Sequence, residues 1–124
     1  MTAGSGNAVT ELLDVVSWRW STRAPYPYAD HVYDAPVTYF DKQFFVFGGD
    51  IGGVTQTIAA YSPITNTWKH IGNLKVGRFE HNVIWSVDSF IVTGGYPLDA
   101  RNERCKYSDG TLSCTLQGPV LNQR

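Results

Sequence analysis

The chain repeats itself at an interval of 46 residues, and this interval constrains the fold more than any other feature. The run FFVFGG, ending at Gly48-Gly49, returns as FIVTGG, ending at Gly94-Gly95. At the same offset Tyr61-Ser62, Thr65 and Trp68 map onto Tyr107-Ser108, Thr111 and Cys114. A period of about 20 to 50 residues marks a supersecondary unit that cannot bury both faces alone and stacks on copies of itself. With 124 residues, the chain holds about 2.7 such units.

Each unit reads as four short strands. PVTYF and FFVF lie on either side of Asp41-Lys42-Gln43, and the next copy places NVIW and FIVT around Ser86 to Ser89. These runs are apolar almost throughout, which predicts strands covered on both faces. After the glycine pair comes a polar, Gly-rich loop, then TIAAY, a Pro63 to Asn66 turn and TWKHI. The 17 aromatic residues favour strands, and helical periodicity is nearly absent, with a turn or two conceivable only over Val9 to Val16. The fold class is all-β. Four antiparallel strands repeating at this period fit a β-propeller blade, whereas a β-sandwich accounts for the strands but not the period.

With a glycine pair closing the second strand, a Tyr in the third and a Trp in the fourth, the chain resembles the kelch repeats. Gly48-Gly49, Tyr61 and Trp68 carry the match, and Gly94-Gly95 and Tyr107 repeat it. The resemblance implies a propeller fragment of about two and a half blades over residues 18–116. Residues 18–34 are the last strand and loop of one blade, 35–71 a full blade and 81–116 a second. Residues 1–17 are expected to be a poorly ordered N-terminal segment and 117–124 a tail. The glycines would permit positive φ and close backbone approach, while Tyr61 and Trp68 would fill the wedge between blades. Kelch propellers are commonly protein-interaction modules, and further blades would come from a longer chain or from self-association.

Composition narrows the function classes. Ten basic residues face 11 acidic ones for a net charge of −1, which offers no footprint for nucleic acid or an anionic membrane. No apolar run approaches the roughly 20 residues that span a bilayer, and the first residues lack a signal peptide's pattern. The Gly48 to Gly53 loop follows a strand but precedes no helix, so it reads as a turn and not a phosphate cradle. His31, His70 and His81 are too scattered for a metal constellation, and two cysteines without a nearby histidine make no zinc site. Asp30 with Asp34 is a polar loop pair, and no nucleophile elbow occurs. The expectation is a non-enzyme without cofactor or metal.

Function is then expected in the loops. In a four-stranded blade the second-to-third connection and the link to the next blade emerge on one face. Residues 23–33, 50–57, 72–80 and 96–103 form that platform, with Tyr28, Asp50, Arg78, Tyr96 and Arg101 as candidate contacts, since Tyr and Arg anchor interfaces most often. Two classes of partner stay open: a protein, or a glycan or matrix component met by an extracellular domain. A propeller enzyme fragment is the distant third.

The cysteines bear on that choice. Asp109-Gly110 is a two-residue hairpin signal, which pairs Ser108 with Thr111, Tyr107 with Leu112, Lys106 with Ser113 and Cys105 with Cys114. A Cys105–Cys114 disulfide is therefore predicted, favouring a secreted or extracellular setting. Counted back by 46 residues, the cystine would occupy the places of Ala59 and Trp68.

Overall fold

The computed structural model describes residues 2–3, 8–98 and 101–118, which form three antiparallel sheets and, among the described residues, no helix. Sheet 1 contains β1 (Thr2–Ala3), β2 (Thr10–Asp14) and β3 (Arg19–Arg23) in that order. Sheet 2 runs β4 (Val37–Phe40), β5 (Gln43–Phe47), β6 (Thr57–Ser62), β7 (Thr67–Asn73). Sheet 3 repeats the same meander with β8 (Asn82–Ser86), β9 (Ser89–Thr93), β10 (Glu103–Ser108) and β11 (Thr111–Leu116).

Turn chemistry sets the registers. Asp41 and Lys42, at φ 51° and 61°, form a two-residue loop between the Phe40–Gln43 pair, and Asp109-Gly110, at 52° and 78°, do the same between Ser108 and Thr111. Positive φ at both loop residues matches the right-handed twist of the flanking strands. The observed register at β10–β11 is the one expected, Cys105 opposite Cys114, and the two are bonded with Cα atoms 3.9 Å apart. Their repeat partners need correction. The β6–β7 turn spans Pro63 to Asn66, two residues more than Asp109-Gly110, so the offset falls to 44 beyond it. Trp68 pairs with Tyr61 as Leu112 pairs with Tyr107, and the cystine stands where Ala59 faces His70.

Sheets 2 and 3 pack face to face. Phe45, Phe47, Ile58, Ala60 and Ile71 from one meet Phe90, Val92, Cys105, Leu112 and Cys114 from the other, with Phe40, Trp85 and Tyr107 at the margin. Phe45, Phe47 and Phe90 are fully buried. Each such ring contributes about 1.5–3 kcal/mol of apolar transfer, so this seam dominates the packing energy. A smaller cluster of Tyr26, Val32 and Ala59 lies under the segment linking sheet 1 to sheet 2.

Coverage of both faces, expected for the apolar runs, holds for β5, where Phe45, Val46 and Phe47 are buried. β4 and β8 instead alternate, with Tyr39 and Ile84 exposed. The far face of sheet 3 is polar. Ser86, Thr93, Arg104 and Lys106 hold the places of Phe40, Phe47, Ile58 and Ala60, and Ile91 that of Phe45. There Asp88 accepts hydrogen bonds from Ser89 and Arg104, which hold its carboxyl down to about 2.

Residues 10–14, expected to stay outside the fold, are strand β2, paired with β3 from Thr10↔Arg23 to Asp14↔Arg19. No glycine or asparagine marks their turn. Asp14 Oδ1 accepts from the Val16 and Ser17 amides, and Trp18 takes the left-handed conformation at φ 59°. The expected tail at 117–124 lies largely outside the described residues.

Both glycine pairs have positive φ, but their surroundings differ. A Cβ on Gly95 would lie 2.6 Å from the Phe79 carbonyl oxygen and 2.7 Å from His81 Cβ, whereas one on Gly94 meets nothing among the described residues. Gly94→Ala is therefore expected to cost about 1–2 kcal/mol from backbone conformation alone. Gly95→Ala adds a backbone clash and should cost at least about 3 kcal/mol. Urea unfolding midpoints of the two variants test the difference, and equal midpoints would contradict the close approach.

Candidate functional site

The ends of β5 and β9 lead into the loops that the repeat places together. Tyr33 and Asp50 exchange backbone hydrogen bonds of 2.9 and 2.8 Å, and 46 residues later Phe79 and Tyr96 do the same at 3.2 and 2.9 Å. The Gly49 amide donates to the Arg78 carbonyl at 2.8 Å and the Glu80 amide to the Asp34 carbonyl at 2.9 Å. Loops following β5 and β9 are thus tied to the connections between sheets, at the end opposite the β4–β5 and β6–β7 turns.

The candidate residues on this end do different work. Tyr28 is half exposed and packs edge-on to Tyr26 at 5.4 Å, with the His70 ring 6.0 Å away. Burial raises its hydroxyl pKa, and that of the more enclosed Tyr26 to about 12. Tyr96 lies on Phe79 at 5.2 Å with its far side exposed. Asp50 shapes its own loop, its Oδ1 accepting from the Gly52 and Gly53 amides at 2.9 and 2.8 Å. The Arg101 side chain is exposed. No described contact joins Tyr28 to Tyr96, so the loops present two aromatic patches and not one.

Arg78 is not a contact residue. Its side chain is fully buried and its Nη2 donates to Glu103 Oε2 at 2.7 Å, with further bonds to the Arg101, Gly94 and Val76 carbonyls. Glu103 in turn accepts from the Lys75 and Val76 amides at 2.6 and 3.1 Å. The guanidinium cannot reach solvent because residues 78–81 are wedged between the two glycine pairs. Sequence reasoning missed Glu103, which opens β10 and carries no local signal of a partner 25 residues away.

His81 lies in the same wedge, buried between Gly48 and Gly95, and among the described residues neither ring nitrogen has a hydrogen bond of normal geometry. Burial, and then the neighbouring Arg78 guanidinium, push its pKa down to about 4, against a weaker pull from the Phe47 backbone.

Tyr61 and Trp68 join sheet 2 to the end of β3. Arg23 Nε donates to the Tyr61 hydroxyl at 2.9 Å, the hydroxyl donates to Asn66 Oδ1 at 2.7 Å, and Trp68 Nε1 donates to the Ala24 carbonyl at 2.8 Å. Tyr107 reaches Gln43 at 3.4 Å, and its ring lies edge-on to Phe45 at 5.8 Å. Glu103, Cys105 and Cys114 sit close together, but the sulfurs are bonded to each other and the carboxylate is filled by Arg78 and two amides, so they offer no metal ligand. A recess of about 280 Å³ at the opposite end is lined by Asp41, Lys42, Gln43, Ser62, Thr65 and Lys69 among others.

Two outcomes follow from this wedge. Arg78→Leu strands the Glu103 carboxylate in the interior and should cost about 3–5 kcal/mol, read from chemical denaturation. For His81, the folded ring stays neutral down to about pH 4, while the unfolded chain takes up a proton below about 6.5. Stability is therefore complete above about pH 6.5 and falls as pH drops towards 4, by on the order of 2 kcal/mol between pH 6.5 and 5. His81→Asn should flatten that slope, and an unchanged slope would show that His81 does not set it.

No protein-family model and no curated protein matches the sequence. Among solved structures the chain is similar to one described as "Structure of YjhT", with 18% identity and a TM-score of 0.76 over 95% of this chain and 48% of that one. At that identity the likeness is one of fold alone, and the chain spans about half the length of its structural neighbour.

Proposed function

We propose that this chain is part of a kelch-type β-propeller and serves as a non-catalytic interaction module whose loops receive a protein partner. The observation that carries the reading is the pair of loop bridges, Tyr33–Asp50 and Phe79–Tyr96, repeated at the 46-residue interval. They hold loops of successive units at one end of stacked four-stranded sheets. Kelch-type blades arranged this way supply a platform from equivalent loops. Tyr28, Tyr96 and Arg101 carry exposed surface on it, and tyrosine and arginine are enriched among the residues that anchor interfaces. Arg78, Glu103 and His81 have the separate role of holding the loops in place.

The cystine favours an extracellular version of this reading. A Cys105–Cys114 bond persists in an oxidising compartment, where the same loops would meet a glycan or matrix component. Exposed aromatic rings on a face whose loops also carry Asp50 and Arg101 suit either partner.

Photo-cross-linking tests the platform. With p-benzoylphenylalanine in place of Tyr96, discrete adducts are expected from a secreted-protein mixture, and Arg101→Ala should weaken them. The same group in place of Val87, exposed at the opposite end, is the control. Adducts from position 87 alone, or none from position 96, would move the site away from these loops.

A further inference from the structure

The two ends of the segment 78–81 are held in different ways. Arg78 is bonded into the interior through Glu103 and the carbonyls of Val76, Gly94 and Arg101, and its own carbonyl receives the Gly49 amide. Three residues later His81 is 5% exposed, and among the described residues neither of its ring nitrogens has a partner. Fit alone keeps it there, with Cε1 3.2 Å from where a Cβ on Gly48 would lie and Cβ 2.7 Å from one on Gly95. Between the two ends, the Glu80 amide donates to the Asp34 carbonyl, and Phe79 and Tyr96 exchange their backbone bonds.

Only a neutral imidazole suits such a slot. A protonated ring would bury a charge and two donors with neither water nor a carboxylate to receive them. The charged group that faces it is Arg78, of the same sign. Glu103 cannot answer a second cation, because its oxygens already accept from Arg78 and from the Lys75 and Val76 amides. The end of β5 turns Gly48 and the Phe47 backbone towards the ring, and the loop after β9 turns Gly95. Asp34 and Glu80 are exposed, and the Asp50 carboxylate is bonded within its own loop.

We propose that residues 79–81 are an acid-released latch hinged at Arg78: in mildly acidic solution His81 leaves its slot, the Phe79–Tyr96 bridge parts, and the loop after β9 is freed while Arg78 stays bound to Glu103. The proton comes from solvent once the ring has swung out. The closed ring stays neutral down to about pH 4, because burial and then Arg78 oppose its charge, whereas a solvated imidazole titrates near 6.5. The open form therefore gains as pH falls below about 6.5, and between pH 7 and pH 5 the opening constant rises about twentyfold. Release needs no separation of the sheets. Phe45, Phe47 and Phe90 in the seam are fully buried, whereas Tyr96 is 53% exposed, so the latch is the less stable unit.

Native-state amide exchange on the 124-residue protein, corrected for the intrinsic effect of pH on exchange, tests the latch. The Phe79, Glu80 and Tyr96 amides should exchange about twentyfold more readily at pH 5 than at pH 7, with little further change in about 1 M urea, since a local opening exposes little surface. Val46 and Val92, in the seam, should exchange more slowly and accelerate with urea. The Gly49 amide, bonded at the hinge, should keep its protection when Glu80 loses it. The pH response should persist in the protein carrying His31→Gln and His70→Gln, where His81 is the one histidine left, and vanish with His81→Asn. No pH response, one that disappears with His31 and His70, loss of Gly49 protection in step with Glu80, or the same urea dependence at all these amides would overturn the proposal.

Discussion

The passage of residues 78–81 between two glycine pairs governs much of the rest of the structure. The Arg78 carbonyl sits where a Cβ on Gly48 would lie, 2.6 Å away, and accepts the Gly49 amide, while the Phe79 carbonyl and His81 crowd Gly95. Side chains at these glycines would push the segment outward and open the angle between sheets 2 and 3. With the segment in place, Phe45 and Phe47 come within 5.1 and 5.3 Å of Phe90. The aromatic seam then provides the free energy, and the glycines provide the geometry in which it forms.

That geometry explains the buried charges. A chain threaded through so narrow a space turns the side chain of residue 78 inward, where an arginine needs a carboxylate and several carbonyls to replace water. Glu103 and the carbonyls of Val76, Gly94 and Arg101 supply them. Such a pair adds little net stability compared with well-packed apolar groups, although losing one member is costly. Its contribution is to join the β7–β8 connection to the start of β10, and so to hold in register the loops that carry Tyr96 and Arg101.

Equivalent positions behave differently where their neighbours differ. Tyr61 receives Arg23 from β3, whereas Tyr107 meets Gln43 and the rings of Phe40 and Phe45. Gly48 is crowded by a carbonyl from 30 residues later, while the corresponding contact for Gly94 would come from a position outside the described residues. The far face of sheet 3 has exchanged phenylalanine, isoleucine and alanine for serine, threonine, arginine and lysine, so it tolerates water where the equivalent face of sheet 2 requires a close apolar neighbour.

Local features were legible in the sequence because they are decided within a few residues. The strands of sheets 2 and 3 follow from apolar runs and turn residues, and the Cys105–Cys114 pairing follows from a hairpin whose two-residue loop fixes its own register. Loop placement of Tyr28, Asp50, Tyr96 and Arg101 followed from the period. β3 was expected as a last strand, but β2 and the hairpin joining them escaped because Trp18 takes its left-handed turn position without glycine or asparagine, a conformation enforced by Asp14 and not by the turn residue itself. The shift from 46 to 44 residues across the last hairpin escaped because a repeat offset assumes equal turns. Burial of Arg78 and the neutrality of His81 were decided by tertiary structure alone. Both depend on how closely two loops from different sheets approach the same segment, and no spacing along one chain measures that distance.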